Sequence, residues 1–407
     1  MNAPSPLQSR PQSARAGLRV SGELGNRLIA LRRDLHQHPE LAFGETRSAS
    51  VLRDFLTALG ITDIMRVAGT GIVARVAGRN RDAPVVAIRG DIDALPIHEA
   101  TGLPFASVVN GVMHACGHDV HATWTVGAAA LLMLEPAEGD VLIVLQPAEE
   151  TGKGARALLD AGALTGVHAI FGAHVDRRFT VGQVVAQAGP LAASADTFEI
   201  ELTGRGAHAA RPHEAADPIV GAAALITALQ TVVSRRVNPA SPAVLTIGAI
   251  SAGTAPNIIP DRAVLKGTLR AADVETRETL QSGLRTMAQH IAAAHGLEAR
   301  VDIDDGVAPV VNSADAASWA AEAAGTVLGQ DAVVPLGITN MAAEDFASYL
   351  ETIRGCFLRI GARREGEHFI PAHSPEFDVA EEAIAVGAEV LAESARVASA
   401  ALLEARR

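Results

Sequence analysis

The chain has 407 residues, 48% of them apolar, and carries a formal net charge of −12. That is enough apolar material for two cored domains, or for one large domain with an insertion, and the acidic balance speaks against a nucleic-acid partner. Aromatic residues make up only 3%, so Ala, Val, Leu and Ile must fill the core and base-stacking platforms are not expected.

In chain order, residues 1–20 read as a disordered tail. Their first part lacks the apolar core of a secretory signal. No run of about 18 apolar residues follows, so a membrane-spanning helix is not expected and the cytoplasm is the expected compartment. The two cysteines, Cys116 and Cys356, do not form a disulfide framework. Cys356 sits in an apolar run and reads as plain core.

Over 21–189 the pattern is α/β. Leu28, Leu31 and Leu35 share one helical face, and Leu52, Phe55, Leu56 and Leu59 share another that Gly60 would end. Strands are predicted over 84–89, 140–146 and 169–175, each short, apolar and rich in branched residues. A helix is predicted over 121–134. This implies a mostly parallel or mixed central sheet flanked by helices.

Near residue 190 the pattern changes. A strand over 197–203, a helix over 218–233, strands over 243–250 and 263–270, a helix marked by Leu280, Leu284, Met287 and Ile291, and a strand over 299–303 give the order β-α-β-β-α-β. That is a ferredoxin-like α+β unit, read as a domain inserted over 190–303. The first pattern resumes over 304–407, with helices at 314–328, 343–350 and 379–404 and a strand at 356–360. The α/β catalytic domain is therefore expected to be split.

Chemistry-bearing residues gather at the predicted strand ends. Strand 84–89 runs into Asp91 and Asp93, which share one side of a strand and suit holding a metal-ligating side chain from behind. The segment His114-Ala115-Cys116-Gly117-His118-Asp119 offers a thiol and an imidazole two residues apart, which suits a borderline-soft metal. Cys116 and His118 are chosen as ligands, with His114 and His121 in support. Strand 140–146 delivers Glu149 and Glu150. Adjacent carboxylates cannot point the same way, so one can hold a cation while the other moves a proton. Strand 169–175 brings His174 to the same edge. Within 190–303, His208, Asn257 and Arg270 together offer donors that suit a carboxylate.

The ordered blocks RRDLHQHPELAFGE, RGDIDALPIHE, MHACGHDVHAT, LQPAEETGKGA, FGAHV, GRGAHAARPHEAADPI, GTAPNIIPD, LKGTLR, MAAEDFASYL and HSPEFD run from 32 to 378. In these blocks the chain resembles the dinuclear metallo-amidohydrolases related to aminoacylases. The branch is that of hippurate hydrolases, auxin-conjugate hydrolases and N-acetyl-diaminopimelate deacetylases. Cys116 stands where more distant relatives of that family use Asp.

The resemblance implies hydrolysis of the amide bond of N-acyl amino acids by a homodimer or homotetramer with no nucleic-acid or membrane partner. Two divalent ions, zinc, manganese or cobalt, would be held by Cys116, His118, Glu150, His174 and His373. Glu149 would be the general base. The inserted unit would be the dimerisation domain and would close over the substrate. His208 would assist its own site or its partner's, and Asn257 and Arg270 would bind the substrate carboxylate. Two rivals are weighed: a hydrolase with Cys116 as nucleophile, and a non-catalytic ligand-binding protein on the same scaffold. The first leaves Glu149, Glu150, His174 and His373 without a role, and the second has no use for a proton-moving glutamate.

Overall fold

A computed structural model describes residues 18–339 and 341–407. The expectation of a disordered tail lies largely outside the described residues. Val20, within the range assigned to that tail, is buried, and its backbone N–H donates to Glu389.

The first elements are α1 (Gly22–Gln37), α2 (Thr46–Ala58), β1 (Ile64–Val67), β2 (Gly71–Val76), β3 (Val85–Asp91), α3 (His118–Leu134), β4 (Val141–Gln146), α4 (Gly154–Asp160), β5 (Val167–Thr180), β6 (Val184–Val185) and β7 (Gly189–Ala192). A second group follows: β8 (Ala195–Thr203), β9 (Ala207–His208), α5 (Pro218–Arg236), β10 (Ala243–Ala252), β11 (Ile258–Ile259), β12 (Arg262–Ala271), α6 (Val274–Ala294) and β13 (Glu298–Val307). The chain then returns through β14 (Val310–Asn312), α7 (Ala314–Leu328), α8 (Ala347–Leu350), β15 (Gly355–Arg363) and α9 (Glu382–Glu404).

The main sheet has the order β1-β2-β4-β3-β5-β15-β6. Its centre is parallel (β4 with β3, β3 with β5, β5 with β15), and both margins are antiparallel. This is the mixed sheet flanked by helices that the apolar runs imply. Alternation along each strand feeds two cores. Ile88 and Leu358 face α1, α2, α3, α7 and α9, whereas Ala87 and Phe357 face the side of α4 and α8. Gly90 lets α3 lie close to β3, since a Cβ there would come within 2.6 Å of the His121 carbonyl oxygen.

The second group builds its own antiparallel sheet, β10-β12-β8-β13, in the chain order β-α-β-β-α-β. It has a separate core of Ile200, Leu225, Leu265, Leu284 and their neighbours. Helix α5 is long and apolar enough to cross a membrane by length and composition alone. It seats Leu225, Leu229 and Val232 in this core. Strands β7 and β14 pair with each other, so the chain leaves and rejoins the main sheet side by side.

Two further differences from expectation have physical causes. Strands β1 and β2 were not foreseen, because β1 is short and half-exposed and β2 is interrupted by Arg75. The helix expected over 343–350 is reduced to α8, because Glu344 and Asp345 are held by buried Arg89 instead of entering a helical turn.

The start of α3 is fixed by charge. Arg32 and His36 of α1 both donate to Asp119 in its first turn, at 2.7 and 2.9 Å. Burial alone would lower His36, but Asp119 and Glu99 outweigh it and hold the imidazolium up to about 9. A raised folded-state value contributes stability that is complete below the unfolded value near 6.5 and is lost as pH rises through about 9. His36→Gln should therefore cost about 3 kcal/mol at pH 6 and much less at pH 10, read by urea unfolding. A pH-independent loss would remove His36 from this role.

Candidate metal centre and active site

The carboxyl ends of β3 and β4 meet the middle of β5 at one edge of the main sheet, where open α/β sheets place their sites; the strand expected over 169–175 runs on to Thr180, so His174 lies within it. Each delivers its residues by a local device. Gly117 takes φ +93° beside Val175 and starts α3, which places Cys116 and His118 on either side of it. After β4, Ala148 takes φ +55° and its N–H donates to buried Glu45 at 2.9 Å, which turns Glu149 and Glu150 into the site. His373 has φ +65° and its N–H donates to the Ala115 carbonyl at 2.8 Å.

Five of the expected residues fall into two overlapping donor sets. Cys116, His118 and His174 form one, and Cys116, Glu150 and His373 form the other. Cys116 Sγ lies 3.3 Å from His174 Nε2, His118 Nε2 lies 3.8 Å from Glu150, and His373 Nε2 lies 3.5 Å from the same carboxylate. The donor set fits cations on a direct observation. His118 Nε2 and Glu150 Oε1 are buried, face each other across the cluster and have no hydrogen-bond partner. Thiolate, imidazole and carboxylate are the donors that a borderline-soft divalent ion takes together.

Supporting groups orient these donors. His118 Nδ1 donates to the Asp93 carbonyl at 2.9 Å and stands 3.1 Å from its carboxylate. The other Asp93 oxygen accepts the Glu150 N–H at 3.0 Å. Asp91 accepts from His121 Nδ1 at 2.7 Å and from Arg89, and His121 Nε2 accepts the Val175 N–H. His174 Nδ1 donates to the Val175 carbonyl at 2.7 Å, which leaves Nε2 turned to Cys116.

The charges follow from these contacts. Burial works against a charged His118, yet Asp91 and Asp93 lift it well above the usual imidazole range, so the pocket favours positive charge at that place. Burial, with His121 and Arg359 nearby, holds His174 well below that range and leaves it a neutral lone-pair donor. Burial and the Glu150 carboxylate push the Cys116 thiol up.

Glu149 has a different environment from Glu150. One oxygen accepts the Asp345 N–H at 3.3 Å, and the other lies 3.8 Å from His118 Nε2. Burial, then Glu344 and Asp345, push it well above the usual carboxylate range.

A cavity of about 920 Å³ opens over this cluster. Its lining includes Cys116, Glu149, Glu150, His174 and His373 from the main-sheet side, and Thr197 and Arg270 from the second sheet. Arg270 is half-buried there and donates to the Met341 carbonyl at 3.4 Å. His208 and Asn257 are exposed and are not among the lining residues. They lie together instead, with β9 paired to β11 and the Ala209 N–H donating to the Asn257 carbonyl. Sequence reasoning assigned no role to Arg89, Glu344 and Asp345. The signal was an arginine inside the apolar run before Asp91, since a cation in a buried strand requires acids around it.

Together with its relatives, a mixed α/β sheet with a sulfur-, nitrogen- and oxygen-donor cluster at its edge and a neighbouring glutamate places the chain among the metal-dependent amidohydrolases. The chain belongs to peptidase family M20/M25/M40, whose model matches residues 87–396. It is 42% identical to an N-acetyl-L-cysteine deacetylase of Bacillus subtilis over 92% of this chain and 88% of that one. It is 35% identical to an IAA-amino acid hydrolase of Arabidopsis thaliana over 92% and 86% of the two chains. The crystal structure of a Bacillus subtilis dinuclear metal-binding peptidase of the M20 family superposes with a TM-score of 0.83 at 39% identity, covering 92% of this chain and 98% of that one.

Proposed function

We propose that the chain hydrolyses the amide bond of N-acyl amino acids, releasing a carboxylic acid and a free amino acid. The observation that carries this reading is the division of labour between neighbouring glutamates. Glu150 shares a donor set with Cys116 and His373, and both glutamates face His118 Nε2 at 3.8 Å, but Glu149 alone accepts the Asp345 N–H and sits beside Glu344 and Asp345 in a proton-retaining environment. Cys116, His118, Glu150, His174 and His373 would hold two divalent ions, for which zinc, manganese and cobalt all suit the donors. When bound, such ions act as Lewis acids toward water and the amide carbonyl.

The chain's own residues do the rest. Glu149 takes a proton from the attacking water at the oxygen that faces the cluster, and it returns that proton to the amide nitrogen as the C–N bond breaks. Asp91 and Asp93 keep His121 and His118 oriented. Arg270 reaches the cavity from the second sheet and pairs with the α-carboxylate of the amino-acid half.

We read 21–189 and 304–407 as one split catalytic domain and 190–303 as an inserted domain that joins two copies into a homodimer or homotetramer. The exposure of His208 and Asn257, away from the cavity of their own chain, supports their service to a partner subunit's cavity. Two free, buried cysteines support a cytoplasmic location.

A screen of N-acetyl, N-benzoyl and indole-acyl amino acids tests the reading, with metal content measured on the same sample. Chelation should abolish turnover, and a divalent ion should restore it. Turnover that survives removal of the metal would overturn the proposal in favour of a thiol enzyme.

A further inference from the structure

Arg359, on β15, stands beside His174 in the parallel register with β5 and lines the cavity over the donor cluster. It is only 5% exposed. Its Nε has no hydrogen-bond partner, and among the described residues no carboxylate lies within 4.0 Å of its guanidinium. Two acids feel its charge, Asp176 and Glu344, and both are already taken. Asp176 accepts from Arg178 at 2.7 Å, and Glu344 accepts from Arg89 at 3.0 Å. The remaining contact is with the Phe357 ring, 5.5 Å from the guanidinium carbon.

An ionised side chain taken out of water with no partner is expensive, and proteins retain one where something else supplies the counter-charge. We infer that Arg359 seats a carboxylate of the substrate, in addition to the α-carboxylate assigned to Arg270. The preferred substrates are then dianionic N-acyl amino acids. This rests on the amidohydrolase reading above. The second carboxylate can belong to the amino-acid side chain or to the far end of a dicarboxylic acyl group. A planar guanidinium suits either by bidentate pairing.

The experiment compares the metal-loaded wild type with Arg359→Met and Arg359→Lys on N-acetyl-alanine, N-acetyl-glutamate and N-succinyl-alanine. The wild type should favour one of the two dianions over N-acetyl-alanine by about 30-fold in kcat/KM, mostly through KM, as a charge-assisted hydrogen bond provides. The favoured dianion identifies which half of the substrate carries the second charge. Arg359→Met should reduce that ratio to about one, and Arg359→Lys should retain part of it.

Melting provides a second readout. Succinate should raise the melting temperature of the wild type and not that of Arg359→Met. Without ligand, Arg359→Met should melt about 2 °C higher than the wild type, because it removes an unpaired buried charge. An unchanged ratio in Arg359→Met overturns the inference. So does an equal loss on all three substrates accompanied by loss of bound metal, which would show that Arg359 serves Cys116. If the wild type turns over none of the three and none of the N-benzoyl and indole-acyl amino acids, the parent reading fails, and the succinate shift still decides whether Arg359 seats an anion.

Discussion

Replacing Glu149 with Gln should lower kcat by about a thousandfold, the size expected when a positioned general base is removed. The substitution keeps the shape and the acceptor for the Asp345 N–H, and it leaves the two donor sets that contain Cys116 intact. Metal content and melting temperature should therefore stay close to those of the wild type, so the loss falls on proton transfer. Single-turnover kinetics with metal analysis on the same sample make the separation. Activity within tenfold of the wild type would assign the proton to another group.

The second large effect is expected far from any solvent. Arg89 is fully buried in β3 and bonds Gln146, Asp91, Glu344 and Asp345 at once. Arg89→Met leaves three buried acids without their common counter-charge and should cost about 3–5 kcal/mol in urea unfolding. The loss should depend on pH with a definite sign. Burial already lifts Asp345 to about 7 against the pull of Arg89, and without the arginine these acids would hold their protons more tightly. A group whose folded-state value is raised favours the folded state at low pH and disfavours it as pH rises. The variant should therefore be closest to the wild type near pH 5 and fall away above pH 7. A loss under about 1 kcal/mol with no pH trend would mean that the network contributes little. Activity should fall with stability, because Asp345 both belongs to this network and holds Glu149.

Much of this arrangement was legible in the residue pattern, for a physical reason. Strands buried on both faces carry near-continuous apolar runs, so β3, β4 and β5 announce themselves, and the polar residues that close those runs stand out against that background. That contrast marked Glu149, Glu150 and His174, while Cys116 and His118 stood out through the clustering of His, Cys and Asp over 114–121. His373 carries no comparable local signal. It sits in a loop after β15 and was found through the resemblance of its segment to a known family.

What stayed hidden were residues whose environment is assembled only in three dimensions. Arg359 occupies an apolar strand in which Cys356 and Leu358 face one core, and nothing nearby in sequence shows that its own side opens on a cavity. Glu344 and Asp345 looked like the start of a helix, because the cation that diverts them lies 255 and 256 residues away in the chain. His208 and Asn257 were grouped with Arg270 as one donor set, yet spacing alone could not say that they lie together outside the cavity that Arg270 lines.

The pairing of β7 with β14 has a consequence for how such a chain can diversify. Val310 stands opposite Ala192 and Asn312 opposite Gly189, so the outgoing and returning backbones are one strand spacing apart, about 5 Å. Whatever length or sequence is threaded between those two anchor points, the sheet beneath receives the same pair of attachments and keeps its register. In the proposed reading the threaded segment carries Arg270, so substrate choice can drift with it while the donor cluster at the edge of the sheet stays under separate constraint.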